Sequence, residues 1–249
     1  MTVKFLPALA PIFALGLLSA MPAQAEMSRD EFQKLVRETL LEQPEILREA
    51  IIKLEEKDQL ASQAEFSKQL KQQSAQLFAN KADGIMGNPK GKLEVVYFTD
   101  YNCPYCHRMN ETLLTMIKEE PELKIIVKDL GILGPDSVQA ARLALATAME
   151  SPRQYEELHQ ALMSQKKVSS AALASIADKA GLDSKSLLAA ANDKKVSDKL
   201  NQNLSLFRSL GLNGTPALVF PDGTLIPGAV DVAGLKDILK DKKSTDKKS

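Results

Sequence analysis

The spacing of hydrophobic and polar positions changes along this chain, and the change falls near Gly91. Between Phe32 and Leu54 apolar residues recur every three or four positions, which predicts an amphipathic helix. Ser28-Arg29-Asp30-Glu31 fits a capping box at its start. From residue 55 to residue 76 the sequence stays helix-prone but turns polar, which predicts an extended, solvated helix or linker. The apolar face before it needs a partner, either the rest of its own chain or identical faces in other copies.

After Gly91 the pattern predicts strands and helices in alternation. Apolar runs at Leu93–Thr99 and Leu123–Asp129, with a helix from near Cys103 between them, predict a βαβ unit. Residues of about 135–211 carry helical patterns only. The remaining expected elements are a hairpin, with strands at 217–220 and 224–226 around Pro221-Asp222-Gly223, and a last helix at 231–240.

The first 25 residues have the pattern of a secretory signal peptide. Lys4 precedes an apolar stretch from Phe5 to Leu18, and Ala23-Gln24-Ala25 fits a cleavage site. A membrane anchor is the alternative, but the stretch is shorter than the ~20 residues that a span needs. The expected domains are therefore a signal peptide at 1–25, a helical region and linker at 26–83, a catalytic domain at 84–240 and a polar tail at 241–249. Lys and Arg equal Asp and Glu at 32 each, so nothing in the charge indicates a nucleic-acid partner.

Cys103-Pro104-Tyr105-Cys106 contains both cysteines of the chain. At a strand-to-helix junction, free N–H groups and the helix dipole favour a thiolate on the first cysteine, and the thiolate is the form that attacks disulfides. We therefore expect Cys103 to be the nucleophile and Cys106, one turn further, to be the resolving thiol. Pro104 fixes φ at the helix start, and Tyr105 lies between the sulfurs in sequence. His107 is expected either to stabilise the thiolate as an imidazolium or to be a solvated first-turn side chain.

Other readings of the two cysteines remain open. A purely structural bridge would gain little, because so short a loop restrains little chain entropy. Cys103 to His107 also matches the C-x-x-C-H motif of c-type haem attachment. A structural zinc site needs four ligands, whereas this chain offers two cysteines and two distant histidines. We expect no metal and no cofactor, with copper(I) on the thiol pair as an open alternative and a non-enzymatic periplasmic chaperone as another.

The combined pattern resembles the DsbA-type branch of the thioredoxin superfamily. The matching features are CPYC after a strand, an all-helical insert, and Gly214-Thr215-Pro216 before a hairpin and a helix. The segments 41–47 and 226–231 resemble the ScsC-like subgroup, which carries an N-terminal helical extension. The resemblance implies an α/β, thioredoxin-like fold with a helical insertion, preceded by that extension.

The resemblance also implies a function and partners. It implies an exported thiol–disulfide oxidoreductase of the periplasm that acts on unfolded or misoxidised proteins. An oxidising membrane partner would make it an oxidase and a reducing one an isomerase, and the sequence leaves this direction open. It implies a cis bond at Thr215-Pro216 facing the cysteines, where the exposed backbone of Thr215 could pair with an extended client. ScsC-like relatives are associated with copper tolerance, and the N-terminal apolar face predicts a homo-oligomer.

One position departs from the resembled pattern. The best-known DsbA proteins have an acidic residue six positions before the first cysteine, where this chain has Tyr97. Asp100 and Glu94 are the nearest carboxylates that could take over its role in proton transfer.

Overall fold

Residues 27–246 are described by this computed structural model, with side chains through residue 243. The predicted signal peptide lies outside the described residues, as does the end of the polar tail. The chain divides into two units, one through Lys57 and one from Asp58 onwards. Among residues 27–246, no helix is both long and apolar enough to cross a membrane.

The first unit consists of helix α1 (Arg29–Glu42) and the beginning of helix α2 (Pro44–Phe78). The predicted capping box is confirmed, because the Glu31 amide donates to the Ser28 hydroxyl at 3.3 Å and the Ser28 amide donates to the Glu31 carboxylate at 3.0 Å. No residue of α1 is buried. The large apolar side chains on α1 and the start of α2 are exposed: Phe32, Leu35, Val36, Leu41, Ile46, Leu47, Ile51, Ile52 and Leu54.

The second half of α2 belongs to the second unit and packs on its sheet. Leu70 and Leu77 are buried in a cluster with Val96 and Phe98. The expectation of a solvated segment through residue 76 is therefore wrong for this part of the helix. A few apolar residues on one face are enough to bury it, although its overall composition is polar.

A five-stranded sheet forms the centre of the second unit, in the order β1-β3-β2-β4-β5. Its strands are β1 (Gly84–Gly87), β2 (Leu93–Thr99), β3 (Leu123–Asp129), β4 (Ala217–Val219) and β5 (Leu225–Pro227). Only β2 and β3 run parallel, as a βαβ unit requires, and the other neighbours are antiparallel. The strands predicted at 93–99 and 123–129 are confirmed to the residue.

Helices cover both faces of this sheet. Along β2, Val95 and Tyr97 face one buried cluster while Val96 and Phe98 face the other, as the alternation of side chains along a strand requires. The remaining helices are α3 (Pro104–Glu119), α4 (Pro135–Glu150), α5 (Tyr155–Met163), α6 (Leu173–Lys179), α7 (Ser184–Ala191), α8 (Lys194–Ser209) and α9 (Val232–Asp246). This architecture matches the α/β, thioredoxin-like fold with a helical insertion that the resemblance implies, with α4 to α8 as the insert.

Strand β1 was not predicted from the sequence. It has four residues, with glycine at both ends, so it carries almost no β signal. Gly84 is needed for packing, because a Cβ at this position would lie 2.0 Å from the Tyr155 ring. The strand therefore depends on a tertiary contact that no local pattern reveals.

Candidate active site

The two cysteines lie where β2 leads into α3. Cys103 is the N-cap of the helix, and Pro104 occupies its first position. The Cys103 side chain is 5% exposed and Cys106, in the first turn, is fully buried. Tyr105 between them is 56% exposed, and the Arg108 guanidinium lies over its ring at 4.6 Å. Only the first sulfur is therefore placed to meet another molecule.

The loop before β4 lies directly against Cys103. The peptide bond between Thr215 and Pro216 is cis, as the resemblance implies. The Cys103 sulfur lies 3.3 Å from the Thr215 carbonyl oxygen, to which it donates a hydrogen bond when it is protonated. The structure thus brings together residues 112 positions apart in sequence, and the predicted site residues form one site.

The pKa values of the two thiols are shifted in opposite directions. A hydrogen bond from Cys106, with further ones from Thr215 and from the backbone amides of Cys106 and Tyr105, lowers the pKa of Cys103 to about 5. Burial, followed by the hydrogen bond to Cys103, raises the pKa of Cys106 far above its usual value. At neutral pH the site therefore contains a thiolate at Cys103 and a protonated thiol at Cys106.

His107 contacts the backbone of the preceding loop. Its Nε2–H donates to the Tyr101 carbonyl at 2.8 Å. The ring is half-buried, and stabilisation of the Cys103 thiolate by His107 stays a prediction. The structure gives it the role of holding the loop that leads into Cys103.

The two carboxylates proposed for proton transfer are engaged elsewhere. Asp100 accepts hydrogen bonds from the amides of Asn102, Ile132 and Leu133, at 2.8 to 3.1 Å. Glu94 pairs with Lys124 at 2.8 Å, near the opposite end of β2 from the cysteines. Asp100 instead contributes its backbone amide, whose hydrogen bond moderates the rise in the pKa of Cys106.

A buried polar cluster near the site was missed in the sequence. The hydroxyls of Tyr101 and Tyr155 donate to Asp129 at 2.7 and 2.9 Å, and His159 Nδ1 lies 2.9 Å from the Tyr101 hydroxyl. Burial raises the pKa of Asp129 to about 7 and lowers the pKa of His159 to about 3. His159 is fully buried, since this face of α5 packs into the core. The four-residue spacing of Tyr155 and His159, which puts both on one helix face, was the available signal.

Among the residues with described side chains, no three His, Cys, Asp or Glu residues lie together in a way that could hold a metal ion.

Comparison with known proteins gives two family matches. Residues 94–240 match the DSBA-like thioredoxin domain, and residues 29–61 match the copper resistance protein ScsC N-terminal domain. No curated protein was found to match the chain.

Three solved structures illustrate the likeness. ScsC of Proteus mirabilis in a transitional conformation is 34% identical, with 87% of this chain and 97% of that chain covered and a TM-score of 0.67. A periplasmic thioredoxin-like protein of Salmonella enterica serovar Typhimurium is 35% identical, with coverages of 68% and 94% and a TM-score of 0.57. The thiol-disulfide exchange protein alpha-DsbA2 of Wolbachia pipientis is 27% identical, with coverages of 73% and 97% and a TM-score of 0.66.

Proposed function

This chain belongs to the DsbA-like thioredoxin family as a thiol–disulfide oxidoreductase of its ScsC-like subgroup, and we propose that it forms or rearranges disulfides in periplasmic proteins through Cys103 and Cys106. The observation that carries the assignment of these residues is the asymmetry of the pair. The outer sulfur is a thiolate at neutral pH and the inner sulfur is a buried thiol.

The chemistry is a pair of exchange steps. The Cys103 thiolate attacks a client disulfide, a bond forms between Cys103 and one client sulfur, and the other client sulfur leaves as a thiolate. Cys106 then loses its proton and attacks Cys103, which forms the internal disulfide and releases the second client sulfur. The same steps run in reverse oxidise a client dithiol. The pKa difference favours the dithiol form in which Cys103 is free to attack.

Client binding is assigned to the surfaces on either side of Cys103. The Thr215 carbonyl lies at the sulfur and the preceding residues, Asn213 and Gly214, are exposed, so an extended client could pair with this backbone. On the other side, a groove of about 600 Å³ lies between Tyr105, Arg108 and residues 228–231. Backbone pairing selects for extended chains more than for sequence, which suits unfolded or misoxidised clients.

The N-terminal unit favours isomerase function in a homo-oligomer. Its exposed apolar residues lie within the segment that matches the ScsC N-terminal domain. Identical copies would bury these side chains and would present several Cys103 sites to one client. A reducing membrane partner would keep the pair as the dithiol, and repair of disulfides misformed under copper stress fits the name of the matching domain.

Cysteine variants test the assignment. Cys103→Ser should abolish exchange, whereas Cys106→Ser should accumulate mixed disulfides with clients. In the wild type, alkylation of Cys103 should follow a pH midpoint near 5, well below that of a free cysteine. Release of clients by Cys106→Ser at the wild-type rate would overturn the roles of the two cysteines, and activity of the variant that lacks both cysteines would instead favour the chaperone.

Thiol alkylation in cells reports whether the pair is held as the dithiol or the disulfide.

A further inference from the structure

Tyr97 lies beneath the turn that carries the resolving thiol. Its side chain is fully buried, and its hydroxyl donates to the Cys106 carbonyl at 3.2 Å. The Thr99 hydroxyl donates to the Tyr97 oxygen at 3.0 Å. The phenol is therefore fixed between β2 and α3 at Cys106, with its own proton directed towards the backbone carbonyl of this residue.

The electrostatics determine what this phenol can do. Burial, followed by the field of an ionised Cys106, raises the pKa of Tyr97 well above its usual value. The phenol consequently keeps its proton in the presence of the thiolate and can act only as a donor. A carboxylate at the same place could accept the proton of Cys106, so the two residue types would serve the thiol differently.

We propose that Tyr97, oriented by Thr99, is a catalytic residue whose hydroxyl turns from the Cys106 carbonyl to the Cys106 sulfur and donates a hydrogen bond to the thiolate as it forms during client release. This inference rests on the proposed function, in which Cys106 resolves the mixed disulfide. In that step Cys106 gives its proton to solvent, its sulfur bonds to Cys103, and the bond between Cys103 and the client breaks. The electron pair leaves on the client sulfur, which takes up a proton from solvent, so Tyr97 neither gains nor loses one.

Other titratable groups facing Tyr97 are few in the described part of the chain. Cys103 comes from α3, and in the mixed disulfide it cannot ionise. His159 from α5 lies edge-on to the Tyr97 ring, with centroids 6.3 Å apart, and burial keeps it neutral because its pKa is lowered to about 3. Asp129 on β3, with its pKa raised to about 7 by burial, reaches this site only through Tyr101 and His159. Its titration is common to the wild type and Tyr97→Phe, so a comparison of the two isolates the phenol.

A stopped-flow reaction of the reduced full chain with dithiobis-nitrobenzoate separates the two steps. Attack by Cys103 releases one coloured thiolate at a rate that rises with reagent concentration. Attack by Cys106 then releases a second at a rate independent of concentration. Tyr97→Phe should slow the second phase about tenfold or more and raise its pH midpoint by about one unit, with the first phase unchanged. Thr99→Val should slow the same phase by a smaller factor.

Tyr155→Phe is the matched control, because it removes another fully buried phenol hydroxyl that bonds to Asp129 and not to Cys106. It should leave both phases at wild-type rates. A second phase in Tyr97→Phe equal to that of the wild type overturns the inference, as does equal slowing of both phases, which would indicate general damage to the site. Absence of the second phase in the wild type would instead contradict the proposed function itself.

Discussion

At the scale of single residues, Cys103 and Cys106 have the same side chain in opposite environments. Cys103 at the helix start has a pKa of about 5, because hydrogen bonds from Cys106, Thr215 and nearby amides stabilise its charge. Cys106 is fully buried, and its charge is correspondingly unfavourable. Cys103 is thus a nucleophile, whereas Cys106, three positions further along the chain, reacts only with a mixed disulfide next to it.

Asp129 provides a prediction about stability and pH. Its pKa is raised by burial from 3.8 to about 7 in the folded chain, so between these values the folded state binds a proton that the unfolded state has released. Its contribution to stability is therefore largest at low pH and is lost as the pH rises towards 7. From pH 5 to pH 8 this group should lower the free energy of unfolding by on the order of 2 kcal/mol.

Denaturant unfolding of Asp129→Asn and the wild type at both pH values checks this. Cys103 and His159 titrate in both proteins and raise stability over the same range, because their pKa values are lowered in the folded chain. The free energy of unfolding of the wild type should therefore fall relative to that of Asp129→Asn between the two pH values, because the amide does not ionise. Asp237→Asn, which changes an exposed carboxylate on α9, should keep the wild-type dependence. The same pH dependence in Asp129→Asn and the wild type would show that Asp129 is ionised well below pH 7 in the folded chain.

The cysteines could be predicted because a local motif marks them, whereas the Thr215-Pro216 loop was implied by the family resemblance. The roles of Tyr97 and Asp129 could not be predicted in this way. The partners of Asp129 come from two other stretches of chain, at Tyr101 and at Tyr155 on α5, and only folding brings them together. Nothing local in the sequence identifies a buried partner for a polar residue in an apolar segment.

At the scale of elements, α2 shows how composition can conceal burial. Phe66, Leu70 and Leu77 lie in a largely polar segment, but their spacing places them on one helix face, which packs on the sheet. Lys128 on β3 reinforces this contact by donating to the Gln76 carbonyl and pairing with the buried Asp83. The mostly polar composition of residues 55–76 suggested a linker, whereas its few apolar residues determine where the helix packs.

Leu77→Ala tests that contact. Leu77 is fully buried, so truncation should lower the free energy of unfolding by about 2–5 kcal/mol through lost burial and a cavity. Leu60→Ala, on the same helix at a residue that is 68% exposed, should change it by less than about 0.5 kcal/mol. Urea unfolding of the second unit measures both changes in the free energy of unfolding. Equal effects of the two variants would contradict packing of α2 on the sheet.

At the scale of the whole molecule, the N-terminal unit and the catalytic unit differ in how far they bury their apolar side chains. The catalytic unit buries its own core, whereas the first unit exposes its large apolar side chains. Each Å² of apolar surface removed from water stabilises an assembly by roughly 25 cal/mol, and a closed symmetric oligomer is the usual outcome for identical copies. We therefore expect the first unit to set the oligomeric state and the second to carry thiol exchange.

Truncation should separate these functions, and the structure determines where to cut. A chain beginning at Asp58 retains the buried part of α2 and should be a stable monomer that still exchanges thiols. A chain beginning at Gly84 lacks Leu70, Leu77 and Asp83, so it should be destabilised, because Val96 and Phe98 lose their cover and Lys128 and Lys199 lose their buried partner. A cut at the end of the apparent linker would thus confuse loss of assembly with loss of folding.

Light scattering and an assay on a client with scrambled disulfides complete the test. The mature chain should be an oligomer that reshuffles the scrambled client, and the chain from Asp58 should be a monomer that oxidises or reduces clients but reshuffles poorly. The physical reason is that a client held by one Cys103 can be attacked by another only when several sites belong to one assembly. A monomeric mature chain at micromolar concentration would contradict the oligomer, and full reshuffling by the monomeric truncated chain would show that one site suffices.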